Sequence, residues 1–189
     1  MARGPQIQTQ RLNLRRWRKT DLKAFAAVNA DPEVMEHFPR VMTEADTARA
    51  IAVFEHHFQD HGFGLWAVEH SGSGELVGFT GLAIPSFDAP FMPAVEVGWR
   101  FGKQHWGNGY ATEAARAALG FGFREAGLDE VVSFTVPANV RSTRVMERLG
   151  MTHDVTDDFL HPAMPSDSPL QKHVLYRMST ALWDELNHP

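Results

Sequence analysis

Two short segments carry residue types that could hold a diphosphate and move a proton. The first begins as an apolar strand, Val95-Glu96-Val97-Gly98-Trp99, and runs through Gln104-His105-Trp106-Gly107-Asn108-Gly109 into an Ala-rich helix starting near Tyr110. Glycines let the backbone approach a ligand closely, and the first N–H groups of a helix point outward unpaired. The helix dipole adds partial positive charge there, which suits a diphosphate. Strand alternation puts Glu96, Gly98 and Arg100 on one face, opposite Val95, Val97 and Trp99. A carboxylate on a central strand is unusual, because charges are seldom buried unpaired. Two readings fit it: a salt bridge to Arg100 or a neighbouring strand, or a general base. The second segment opens with Asn139-x-x-Ser142. Asparagine commonly caps a helix, and Ser142 would then sit in the first turn.

Rival motifs are incomplete. No G-K-[ST] triplet closes a nucleotide P-loop, and the third glycine of a dinucleotide fingerprint is replaced by Thr112. Asp129 and Glu130 precede the next strand, where that fingerprint wants its acid at the strand end. His57 and His61 share a helix face beside His56 but lack the Glu of H-E-x-x-H. His153, Asp154, Asp157, Asp158 and His161 form a second polar cluster. Neither group is expected to hold a metal.

Composition narrows the classes further. The chain has 189 residues, 43% of them hydrophobic, enough for one domain over 1–189 with a buried core. The balance of 18 basic and 23 acidic residues argues against nucleic-acid binding. The basic run at Arg11, Arg15, Arg16, Arg18 and Lys19 reads as a solvated edge. Cysteine is absent, which excludes disulfides and a thiol nucleophile. No apolar run reaches membrane-spanning length, and residues 1–5 lack a signal-peptide core, so a cytoplasmic protein without membrane contact is expected.

The elements that must position these residues are legible from periodicity. Strands are expected around 12–14, 65–69, 76–83, 94–101, 131–136, 151–155 and 172–178. Helices are expected from a Thr20 cap, from a Thr43/Asp46 capping box, at 110–125 and at 139–149. The segment 156–169, rich in Asp and Pro, reads as a long surface loop. The order describes a mixed sheet with helices on both faces rather than a doubly wound one.

Gln104-x-x-Gly107-x-Gly109 between strand and helix, followed by Asn139-x-x-Ser142 opening a helix that ends Arg148-Leu149-Gly150-Met151, resembles the GNAT superfamily of N-acetyltransferases. The phrases Glu96-Val97-Gly98-Trp99 and Trp106-Gly107-Asn108-Gly109-Tyr110-Ala111-Thr112-Glu113-Ala114 are most similar to its ribosomal-protein N-terminal (alanine/serine) acetyltransferases. The resemblance implies an α+β fold: a mixed, mostly antiparallel, twisted sheet of about seven strands, helices on both faces, and a splay between strands four and five. It implies acetyl-CoA as acyl donor, no metal, and an amine acceptor, either a small molecule or a protein N-terminus, in a monomer or homodimer. The backbone from Gln104 through His105, Trp106, Gly107, Asn108 and Gly109 to Tyr110 and Ala111 would hold the pyrophosphate. Trp99, Arg100 and Phe101 would pair with pantetheine through their main chain. Asn139 would bond the pantetheine amides, and Ser142 would lie near the sulfur. Arg141, Arg144 and Arg148 could reach the ribose phosphate or remain solvated.

In this scheme Glu96 takes the proton from the amine. An α-amine of pKa ~8 is about one-tenth free at pH 7, a lysine-like amine under about one part in a thousand, so an N-terminal acceptor asks less of it. Where many relatives place a thiolate-protonating tyrosine, this chain has Met146, leaving Ser142 or water as donor. Met146 also suits an alternative, a catalytically reduced acyl-CoA-binding regulatory module. Phe38, Trp66, Glu96, His161 and His173 would border the acceptor, and the acidic 156–167 loop would suit a cationic one.

Overall fold

Two apolar clusters pack on opposite faces of one sheet, and the order of strands in that sheet decides where it can open. The computed structural model describes residues 5–187. Residues 1–4, read above as part of a segment without a signal-peptide core, lie outside them. Along the chain come β1 (Ile7–Gln8), β2 (Leu12–Arg15), α1 (Asp21–Ala30), α2 (Glu44–His61), β3 (Leu65–His70), β4 (Leu76–Ala83) and β5 (Glu96–Phe101). Then follow α3 (Tyr110–Arg124), β6 (Glu130–Thr135), α4 (Val140–Leu149), β7 (Thr152–His153), β8 (Phe159–Leu160), β9 (Lys172–Ser179) and α5 (Thr180–Asn187). The spatial order is β1-β2-β3-β4-β5-β6-β9-β7, with β8 also paired to β9. Every pairing is antiparallel except β5 with β6. The fold is therefore the mixed α+β arrangement expected, with nine strands among the described residues rather than seven. The two extra strands, β1 and β8, are two residues long, too short for alternation to show.

Alternation along the strands feeds both faces. Leu12, Leu14, Val68, Val77 and Val97 pack with Ala115 and Leu119 of α3, Met146 of α4 and Trp183 of α5. Ala67, Leu76 and Phe79 pack on the other face against Phe25 and Val28 of α1, with Ile51 and Phe54 of α2. No helix of the described residues is long and apolar enough to cross a membrane.

The helix signals were only partly read. Thr43 and Asp46 do form a reciprocal capping box, and Gly62 closes α2 at φ 77°. Thr20, by contrast, makes no capping bond. Asp21 instead accepts from the Arg18 N–H and from both terminal nitrogens of Arg15. The arginines of the basic run are accordingly paired, while Lys19 stays exposed. Arg11 bonds Glu113, Arg16 bonds Glu55, and Arg15 bridges Asp21 and Glu69. Arg15 and Asp21 are each only 5% exposed. Breaking a buried pair leaves an uncompensated charge, so Arg15→Ala should lower unfolding free energy by about 3–5 kcal/mol, read by denaturant titration.

Candidate active site

β5 and β6 touch at one register position, Glu96 against Val132, and then part. The Val132 N–H donates to the Val95 carbonyl at 2.8 Å, and the Ser133 hydroxyl to the Val97 carbonyl at 2.9 Å. Beyond these bonds no ladder continues. Along β5 the backbone groups of even-numbered residues face β4, as the Gly102 N–H bonding Val77 and the Gly98 carbonyl bonding Thr80 show. Odd-numbered ones therefore face the opening. Trp99 turns its N–H and C=O into the gap and Phe101 its N–H. The Phe101 carbonyl is taken by the Trp106 indole at 2.9 Å. The main chain of Arg100 faces Phe79 of β4, so its expected pairing with a ligand through the backbone does not hold.

The start of α3 faces the same space. Gly107 and Gly109 both adopt φ 78°, a left-handed conformation costly for other residues, and Gly109 serves as the N-cap without a side-chain bond. Among the described residues, the N–H groups from Gly107 to Thr112 find no acceptor. Glu113, in the first turn, is held back from this opening by Arg11 and Thr9. A cavity of about 630 Å³ joins this cradle to the gap and to Glu96. Unspent donors at one end and unspent strand N–H groups along the middle fit a diphosphate-bearing thioester carrier.

Glu96 lines this cavity and is half-buried. Among the described residues its carboxyl has no hydrogen bond and no ion pair. Burial pushes its pKa up to about 8. The salt bridge considered for it does not form. Arg100, on the same face, sends Nη1 to Asn29 Oδ1 at 2.7 Å and to Met42 Sδ at 3.5 Å. Its guanidinium carbon lies 4.2 Å from the Phe38 ring centre.

The remaining expected residues divide. His105, Trp106, Gly107, Gly109, Tyr110, Ala111, Asn139, Ser142, Phe38, His161 and His173 line the cavity. The side chains of Gln104 and Asn108 are exposed outside it. Asn108 instead bonds the carbonyls of His105 and Trp106, which shapes the turn. Asn139 realises its capping reading. Its Oδ1 accepts the Ser142 N–H at 3.2 Å and its Nδ2 donates to Thr135 at 3.0 Å. Trp66 is a correction. It is wholly buried on the α3 face against Phe58 and Phe121, and its indole N–H bonds Pro5. Its ring never meets the cavity, because β3 is separated from the opening by β4 and β5.

Met146 lines the cavity and is 1% exposed. Neither tyrosine substitutes for it: Tyr176 stacks on His153 away from the cavity, and Tyr110 sits at the α3 start near Arg11. His161 and His173 lie 5.1 Å apart beside Phe134, and burial lowers both pKa values, favouring neutral rings. The acidic loop reaches the cavity through His161 and Met164, but its aspartates do not line it. Asp157 bonds Arg177, and Asp158 pairs with His153 and Lys172. His57 is likewise structural, its two ring nitrogens bonded to the Phe63 carbonyl and the Ile84 N–H. The walls that sequence reasoning missed are Val34, His37 and Pro39 around the expected Phe38, with Met164 and Leu170. Those segments carry no motif, and only the fold brings them here.

An open strand edge, a cradle of unpaired N–H groups at the start of α3 and an unpaired carboxyl in one cavity are a layout suited to acyl transfer. Residues 11–152 match the acetyltransferase (GNAT) domain model, and the chain belongs to the GNAT acetyltransferase family, whose acyl donor is acetyl-CoA. It is 31% identical to the uncharacterized protein YkkB of Bacillus subtilis over 79% of this chain and 87% of that one. It is 30% identical to the FsC-acetyl coenzyme A-N(2)-transacetylase of Aspergillus fumigatus over 98% of this chain and 80% of that one. A GNAT-family acetyltransferase structure from Bacillus anthracis superposes with TM-score 0.77 at 27% identity, covering 94% of this chain and 99% of that one.

Proposed function

We propose that the protein transfers an acetyl group from acetyl-CoA to a primary amine by direct attack in a ternary complex. The observation that carries this is the unpartnered Glu96 carboxyl in the same cavity as the unpaired N–H groups of α3. The backbone of Gly107 to Thr112 holds the diphosphate. Trp99 and Phe101 offer the strand N–H groups that pantetheine takes up, and one of them polarises the thioester carbonyl. Glu96 removes a proton from the ammonium. Its raised pKa brings it close to an α-amine of pKa ~8, which makes proton transfer nearly isoenergetic. The amine nitrogen forms a bond to the carbonyl carbon, the C–S bond breaks, and the thiolate takes a proton from Ser142 or from water.

The relative from Aspergillus fumigatus is named for acetyl transfer from acetyl coenzyme A to a nitrogen, which supports this class. Met146 favours a second reading, an acyl-CoA-binding module with reduced catalysis. A thiol leaving group of pKa ~8.5 needs little acid assistance near neutral pH, so methionine there is compatible with turnover. Ser142→Ala should therefore lower kcat by roughly tenfold at most, with the acetyl-CoA KM unchanged. Thiol release from acetyl-CoA, followed with a panel of amines, tests the reading. Acetylated amine in the products supports it. Tight acetyl-CoA binding without release on any amine favours the regulatory module.

A further inference from the structure

Arg100 is the group the transfer chemistry leaves unused. It rises from β5 on the Glu96 face, away from the strand edge that the acyl carrier would occupy. Its Nη1 is held by Asn29 and Met42, and Phe38 packs on the guanidinium plane. Its Nε is sealed from solvent with no acceptor, and among the described residues Nη2 has none either. No carboxylate pairs with it, whereas Arg11, Arg15, Arg16 and Arg18 all have one. A guanidinium in a cavity wall with a free donor and no carboxylate is an anion site in waiting. Among the described residues Glu96 is the only carboxyl lining the cavity, and the remaining arginines there, Arg141, Arg144 and Arg148, all sit on α4.

Resting on the acetyl-transfer reading, we infer that the acceptor amine also carries a carboxylate, which docks on the free Nη2 of Arg100 while the amine lies at Glu96. Nη2 offers N–H donors that carry the guanidinium charge, which makes a hydrogen bond to a carboxylate charge-assisted. Asn29 and Met42 hold Nη1, which leaves Nη2 as the nitrogen without a partner. Glu96 and Arg100 are four residues apart on one strand, about 13 Å between Cα atoms, so the amine and carboxylate are separated by several bonds rather than one carbon. A polycation finds no comparable partner, since Asp157 and Asp158 are spent on Arg177, His153 and Lys172, and neither they nor Asp167 line the cavity.

The test compares ω-amino acids of increasing length with their methyl esters, which keep the amine and remove the charge. The expected result is a kcat/KM ratio of acid to ester of about 10- to 100-fold at the best length, the range a hydrogen bond to a charged group supplies. In Arg100→Met the ratio should fall to near one, and Arg100→Lys should restore only part of it. A wild-type ratio near or below one overturns the inference and needs no variant to fold. So does a ratio unchanged in Arg100→Met, or failure of every ω-amino acid to react or to stabilise the CoA complex while alkylamines are acetylated. Absence of acetyl-CoA binding would instead sink the transfer reading beneath it.

Discussion

Glu96→Gln is expected to lower kcat/KM by about 100- to 10,000-fold, the usual span for loss of a general base, while acetyl-CoA affinity stays within threefold or so of wild type. Glutamine keeps the shape and can occupy the same unpartnered space, so the loss reports proton transfer. With a pKa of about 8, Glu96 is about one-tenth ionised at pH 7. Dividing the wild-type pH profile by the E96Q profile cancels the acceptor's own ionisation. The quotient should climb about tenfold per unit from pH 6 and flatten above about 8. A flat quotient would remove Glu96 from proton transfer.

The same residue gives an opposite signature in stability. Its folded pKa lies above the unfolded value, so wild-type stability is fullest below 4.5, declines as pH rises, and levels off above about 8. E96Q carries no such charge. Its unfolding free energy should match wild type near pH 5 and exceed it increasingly toward pH 8, by at most about 1.4 kcal/mol per unit crossed. A variant that is inactive yet more stable at high pH is hard to explain by misfolding.

The second large effect concerns the cradle. Gly109→Val should weaken acetyl-CoA binding by about 10- to 100-fold, because a β-branched residue at φ 78° costs at least ~1–2 kcal/mol and the turn relaxes away from the conformation that points its N–H groups outward. Gly62→Val is the matched control. Gly62 has φ 77°, has open space around it, and closes α2 away from the cavity. It should lose similar stability and keep its affinity. Calorimetric titration with acetyl-CoA separates the two, and equal weakening in both would make the Gly109 effect merely global.

What the sequence disclosed and what it hid follow one physical division. Glu96, the two glycines of the α3 turn and the Asn139 cap depend on local backbone geometry, and local geometry leaves a readable pattern of residue types. Arg100 was placed on the correct face by alternation. That its backbone serves β4 and its side chain meets Asn29 and Phe38 depends on register and on packing from distant segments. Trp66 was misplaced for the same reason, since an aromatic on a strand reads alike whether it lines a cavity or fills a core. α5 was missed although Ser179 marks its start, accepting the Leu182 N–H, because it follows β9 without a breaker. The charge of the 156–167 loop was legible, but the pairing of Asp157 with Arg177 and of Asp158 with Lys172 was not.

The central claim is that the gap between β5 and β6 receives the thioester arm and brings its sulfur to Glu96. A crystal structure with a non-hydrolysable acetyl-CoA thioether tests it most directly. The account predicts the diphosphate on the N–H groups of Gly107 to Thr112, pantetheine bonded to Trp99, and the acyl carbonyl within one amine's reach of the Glu96 carboxyl. A diphosphate bound elsewhere, or an acyl group turned away from Glu96 with the gap closed, would contradict it.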